Sequence, residues 1–120
     1  MSLPKTMMGA MLLGPEEIEL REVPVSPPGD GEVLLQVEAA TTCGTDVKVF
    51  RRGGHPRMLK VPTLFGHEMA GHVAAVGNGV DGFSEGDAIV VANSAPCLDC
   101  DYCKMGRENL CRDLQYLNGA

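Results

Sequence analysis

The sequence has no tryptophan, only two tyrosines and three phenylalanines. So sparse an aromatic set excludes the stacking platform that single-stranded nucleic acids use. Positive charge is also scarce, with ten Lys and Arg against sixteen Asp and Glu and a net charge of −6. Such a chain is a poor electrostatic match for nucleic acid or an anionic membrane surface, and neither is expected as a partner. No run of about 18 apolar residues occurs, so no transmembrane helix is expected. The apolar stretch Met7 to Leu13 follows Lys5, but Pro15-Glu16-Glu17 comes next without a small-residue cleavage site. It reads as a first β-strand rather than a signal segment.

What the chain does have is glycine (15), proline (8) and 44% hydrophobic residues in a length of 120. That apolar content supports one modest core, and the spread of Gly and Pro predicts short elements joined by turns. Ile18, Leu20 and Val23 alternate roughly with charged residues, as in a half-buried strand. Val25-Ser26-Pro27-Pro28-Gly29-Asp30-Gly31 is a rigid turn region, and Val33 to Ala39 is the cleanest period-two stretch. Thr41 to Arg52 is ambiguous between one helical turn and a loop. Met69 to Val76 reads as a strand, Asn78-Gly79 as a turn, and Ala88 to Ala92 as a continuous buried strand. No long amphipathic helix is evident. The expected fold is all-β with short helical segments, a small distorted barrel.

Four of the five cysteines, Cys97, Cys100, Cys103 and Cys111, form C-x2-C-x2-C-x7-C. Two-residue spacings let consecutive thiolates converge on one ion, and the longer step returns the chain for the fourth. Four thiolates close the shell of tetrahedral Zn²⁺, which marks a structural site. In the absence of a signal segment this pattern points to metal ligands rather than disulfides, and to a cytoplasmic location. An iron–sulfur site is the competing reading. Bacterial ferredoxins share C-x2-C-x2-C, but place the fourth cysteine after three residues with Pro behind it; here the gap is seven and Arg112 follows.

Cys43, in Thr42-Cys43-Gly44-Thr45-Asp46, and His67-Glu68 supply the ligand types of an open catalytic zinc site. Residue type and spacing alone favour a small buried Cys and a merely hydrogen-bonded His over a metal site. His55 is expected to face solvent from a Gly-Pro loop, and His72 to lie at a strand rim.

Taken together, Cys43-Gly44-Thr45-Asp46, Gly66-His67-Glu68-Met69-Ala70-Gly71, Gly86-Asp87 and the four-cysteine lobe resemble the zinc-containing medium-chain alcohol dehydrogenases. The resemblance runs from about Met8 to Ala120, over the GroES-like N-terminal catalytic domain, and is nearest the polyol, sorbitol and threonine dehydrogenases. It implies an incomplete GroES-like barrel over residues 1–120, with a zinc lobe at about 93–112. It implies Cys43 and His67 as catalytic-zinc ligands, with Glu68 beside that zinc as an alternate or transient ligand. Thr45 would hydrogen-bond the substrate oxygen and pass its proton outward, and Asp46 would accept a hydrogen bond from His67. Cys97, Cys100, Cys103 and Cys111 would hold the structural zinc.

The implied activity is NAD- or NADP-dependent oxidation of a small alcohol or polyol by hydride transfer, in a homo-oligomer. The alternative is a non-catalytic zinc-binding module on the same scaffold. Lys48 stands where many members have a histidine that completes the proton relay. No G-x-G-x-x-G unit is expected here, so nicotinamide binding is not assigned to these residues, and the chain alone is expected to be inactive.

Overall fold

The computed structural model describes residues 2–117. Residues 1 and 118–120 of the expected domain lie outside the described residues. The chain runs β1 (Thr6–Gly14), β2 (Glu17–Pro24), β3 (Val33–Ala40), α1 (Gly44–Arg52), β4 (Thr63–Leu64), β5 (Met69–Val76), β6 (Ala88–Val91), β7 (Ser94–Ala95), α2 (Asp101–Lys104), a 3₁₀ turn (Glu108–Leu110) and β8 (Gln115–Tyr116). These strands form two three-stranded sheets, ordered β2-β1-β4 and β3-β5-β6, and a two-stranded ribbon β7-β8. The fold is mostly strand, and among the described residues no sheet closes into a barrel.

β1 and β2 form an antiparallel hairpin from Thr6↔Pro24 to Leu12↔Ile18. Leu12 points inward from β1 and meets Val49 of α1 and Leu59; these three are buried, with Phe50, Val61 and Phe65 packed around them. Fully burying a side chain of this kind contributes roughly 1.5–3 kcal/mol. The cluster fixes α1 against the first sheet, and a hydrogen bond from the Glu16 N–H to the Phe50 carbonyl (2.8 Å) ties the hairpin turn to the helix.

The second sheet pairs β3 with β5, from Val33↔Val76 to Ala40↔Met69, with a bulge at Glu38. Gly71 sits opposite that bulge. A Cβ there would lie 1.9 Å from the Gln36 carbonyl oxygen, so only glycine admits the close approach of the two strands.

Three expectations are corrected. The ambiguous stretch is a nine-residue helix. Asp46 caps its first turn by accepting the Cys43 N–H (2.9 Å), and Gly53, at φ 73°, stops it in the left-handed conformation. Val47 and Val49 are weak helix formers; burial of Val49 decides the matter. Second, the continuous buried strand is the edge strand β6, paired to β5 alone, with Val90 81% exposed. Its side chains alternate between two faces, and the outer one is bare. Third, His55 is half-buried rather than solvent-facing. Its Nδ1 accepts the N–H groups of Arg57 and Met58 (both 3.1 Å), locking the loop after α1.

Candidate metal centres

The first centre is made by strand pairing. The last β3–β5 pair is Ala40↔Met69, and the ladder continues one step to Thr41 and Glu68, whose N–H and carbonyl bond at 3.1 Å. Cys43 follows Thr41 by two residues and His67 precedes Glu68 by one, so this register sets thiol against imidazole. Cys43 Sγ lies 3.2 Å from His67 Nε2. On the other side of the ring, His67 Nδ1 faces Asp46 Oδ1 at 3.1 Å, while Oδ2 of the same carboxylate caps Cys43. Asp46 is buried and His67 nearly so. One carboxylate therefore fixes both the helix start carrying the thiol and the ring that meets it. With Nδ1–H donated to Asp46, Nε2 presents its lone pair toward the sulfur, the orientation a metal-bound imidazole takes.

Cys43, Asp46 and His67 offer ligand atoms within 4.8 Å of one another. Asp46 already serves two hydrogen bonds, so the thiol and the imidazole are the donors left for an ion. Glu68 stands at the rim, its Oε1 3.9 Å from Nε2. Thr45 is half-buried one position before Asp46, and Lys48 is exposed three positions on from Thr45 along the same helix face.

The second centre is built locally. The sulfurs of Cys97, Cys100, Cys103 and Cys111 all lie within 4.8 Å of one another. Cys100 and Cys103 Sγ are 3.6 Å apart, and Cys97 and Cys103 Sγ 4.0 Å. A ZnS₄ tetrahedron with bonds of ~2.3 Å has edges of ~3.8 Å, so the cage fits one such ion. A multi-iron cluster would hold its thiolates farther apart, and a disulfide would bring two sulfurs to ~2.05 Å; all five cysteines are free. Backbone N–H groups turn toward the sulfurs: those of Asp99 and Cys100 toward Cys97 (3.4 and 3.3 Å), and those of Cys97 and Asp113 toward Cys111 (3.2 and 3.3 Å). Such donors favour thiolates. A backbone N–H of Arg112, then one of Cys103, lowers the Cys100 thiol to about 6, while burial first of all pushes Cys103 up to about 12.

A short ribbon closes over the four-thiol loop. β8 pairs with β7 through Ser94↔Tyr116, and the Leu117 N–H reaches the Asn93 carbonyl at 2.9 Å. Two-residue strands carry no readable period, which is why the sequence hides this clasp. Arg112 straps the lobe, 2.9 Å from Asp101 and 5.1 Å from the centre of the Tyr102 ring.

Contrary to expectation, Gly77-Asn78-Gly79-Val80-Asp81-Gly82 spells G-x-G-x-x-G. It follows β5 but opens no helix. It turns instead toward β6, with Gly79 and Gly82 at φ 72° and 83°, and a Cβ on Gly77 would lie 1.9 Å from the Gly29 carbonyl oxygen. A dinucleotide site needs a strand–turn–helix unit, so these glycines serve a turn.

Antiparallel sheets that carry a thiol–imidazole centre beside a four-thiol lobe define a GroES-like domain of the dehydrogenase type. Residues 29–120 match the family described as the alcohol dehydrogenase GroES-like domain, and the chain belongs to it. It is 38% identical over 117 residues to a sorbitol dehydrogenase of Bacillus subtilis, covering 97% of this chain and 33% of that one. It is 40% identical over 96 residues to an L-threonine 3-dehydrogenase of Pyrococcus abyssi, covering 79% of this chain and 28% of the relative. Among solved structures, an alcohol dehydrogenase of E. coli CFT073 complexed with NADH superposes with a TM-score of 0.84 at 30% identity, over 97% of this chain and 33% of that one. The chain thus spans about a third of the length of these relatives. Its relatives are oxidoreductases, and no helix among the described residues is long and apolar enough to cross a membrane.

Proposed function

We propose that this chain is the metal-bearing N-terminal part of the catalytic domain of a zinc- and NAD(P)-dependent dehydrogenase, acting on a small alcohol or polyol in the cytoplasm as a homo-oligomer. The observation that carries this reading is the convergence of Cys43 Sγ and His67 Nε2 at 3.2 Å, with the far side of the ring locked on Asp46. Zinc held there supplies a Lewis acid for the substrate oxygen, and the nicotinamide supplies a hydride acceptor.

The chain's own residues do the rest. Cys43 and His67 bind the ion, and Asp46 keeps His67 in the tautomer whose Nε2 is free to bind. Thr45, half-buried on the first turn of α1, hydrogen-bonds the substrate hydroxyl and takes up its proton. It carries no charge itself, so the proton moves on without burying an ion. Lys48, exposed one turn further, lets that proton leave to water. Glu68 stands beside the ion as an alternate ligand. Cys97, Cys100, Cys103 and Cys111 hold a second, structural zinc that forms the lobe. The exposed edge of β6 gives a surface for self-association.

Metal content per chain tests this reading. Two zinc ions in the parent and one in Cys43→Ala are expected. One ion in both, bound only in the lobe, supports the non-catalytic module, and a chain that takes up iron with visible colour overturns the zinc assignment.

A further inference from the structure

The mechanism above leaves one contact at the early centre unused. Thr41 follows β3 and Glu68 precedes β5, and beyond their backbone bond Thr41 Oγ1 donates to Glu68 Oε2 at 2.5 Å. The other carboxylate oxygen is 3.9 Å from His67 Nε2. A nitrogen and an oxygen bound to the same tetrahedral zinc, each ~2.0–2.1 Å from it, lie about 3.3 Å apart. The carboxylate is therefore held back by about 0.6 Å from sharing an ion with His67. Glu68 is 43% exposed, and among the described residues its side chain meets the Thr41 hydroxyl and, more distantly, His67 Nε2. Thr41 is well suited to hold it, because β-branching stiffens χ1 and the strand pairing fixes its backbone.

We propose that Thr41 is a positioning residue whose hydroxyl competes with the metal for the Glu68 carboxylate and keeps it beside the ion rather than on it. The inference rests on the reading of Cys43 and His67 as a metal centre. It makes Thr41 the residue that sets how much of the time Glu68 joins Cys43 and His67 on the ion.

The test uses the full chain, first given one equivalent of zinc to fill the four-thiol lobe and then titrated with Co²⁺. The near-ultraviolet thiolate-to-cobalt band and the visible d–d bands report the Cys43 centre. Thr41→Val is expected to bind Co²⁺ about five- to tenfold tighter than the parent, the size of one ordinary hydrogen bond at an exposed site. Its d–d bands should change as a carboxylate joins the ion. Thr41→Ser should match the parent, and the gain should vanish in Thr41→Val/Glu68→Gln. Glu68→Gln in the parent should shift affinity by less than about twofold, being the loss of a donor that is not yet bound. Unchanged or weaker binding by a folded Thr41→Val, a gain that survives Glu68→Gln, or a large loss on Glu68→Gln alone overturns the proposal. A parent that shows no thiolate band with Co²⁺ overturns the metal-centre reading, and the role of Thr41 with it.

Discussion

Cys43 and His67 are 24 residues apart in sequence, whereas the four late thiols span 14. The early pair meets because β3 and β5 align in one register and because Leu12, Val49 and Leu59 seat the helix that starts at Cys43. The late thiols meet because their own loop folds back on itself, with backbone N–H groups aimed at the sulfurs. The lobe's large apolar side chains do not form a core: Leu98, Met105 and Leu110 are all exposed, and only Cys103 is buried. One region uses packing to bring a thiol and an imidazole together. The other, on the function proposed above, relies on an ion in place of packing.

The largest effect expected from this contrast is on the lobe. Four thiolates closing on zinc give apparent binding energies of roughly 10–16 kcal/mol in small peptides, and that energy is largely folding energy. Chelation or Cys100→Ser should expose the Cys97–Cys111 segment to limited proteolysis while the β1–β2 hairpin stays resistant. Equal resistance of the segment in all samples would refute the structural-metal assignment. The reverse experiment is Leu12→Ala. It should lower stability by about 2–5 kcal/mol in urea unfolding and loosen α1, yet leave metal in the lobe. Loss of lobe metal in that variant would show that the two regions are one cooperative unit.

Next comes Asp46→Asn, which replaces the charged acceptor behind His67 while keeping a capping side chain. Metal affinity at the Cys43 centre should fall 10- to 100-fold, read by Co²⁺ titration, with zinc in the lobe unaffected.

The pH dependence of the lobe follows from its thiols. At neutral pH Cys100, lowered to about 6, is largely ionised, whereas Cys103, raised to about 12, is protonated. Binding must displace at least the Cys103 proton, so apparent affinity should rise about tenfold per pH unit for each proton released. Below about pH 6 the Cys100 proton must be displaced as well, and the fall with acid should steepen. Competition with a chelator across pH 5–8 reads both slopes; a flat profile contradicts the thiolate set.

The smallest effect is at the strap. The Arg112 guanidinium beside Asp101 holds its carboxyl below the usual carboxylate range. That contact is present above the ordinary carboxylate pKa and is lost as pH falls through the lowered one. Asp101→Asn should slightly speed proteolysis of the lobe at pH 7, and parent and variant should converge in acid. Both groups are exposed, so a large change would mean that the strap does more than a surface ion pair.

By itself the sequence determined the short-strand architecture and the residues with metal-binding chemistry. Alternation over Val33 to Ala39 and the run Met69 to Val76 survive as β3 and β5 because the sequence pattern of a strand is local, although burial in β3 does not alternate and Val37 is 47% exposed. The C-x2-C-x2-C-x7-C spacing likewise fixes its own geometry within one loop. Tertiary structure decided what depends on distant partners. The helix Gly44–Arg52 exists because Val49 is buried beneath Leu12 and Leu59, which no local pattern announces. The exposure of Val90 depends on which strands flank β6, and a G-x-G-x-x-G string became a turn because β6 rather than a helix follows it. Thr41 escaped the sequence reading altogether, since nothing in Ala40-Thr41-Thr42 points across 27 residues to Glu68. Register between strands is set by the whole sheet, and it is register that places Thr41 on Glu68 and Cys43 against His67.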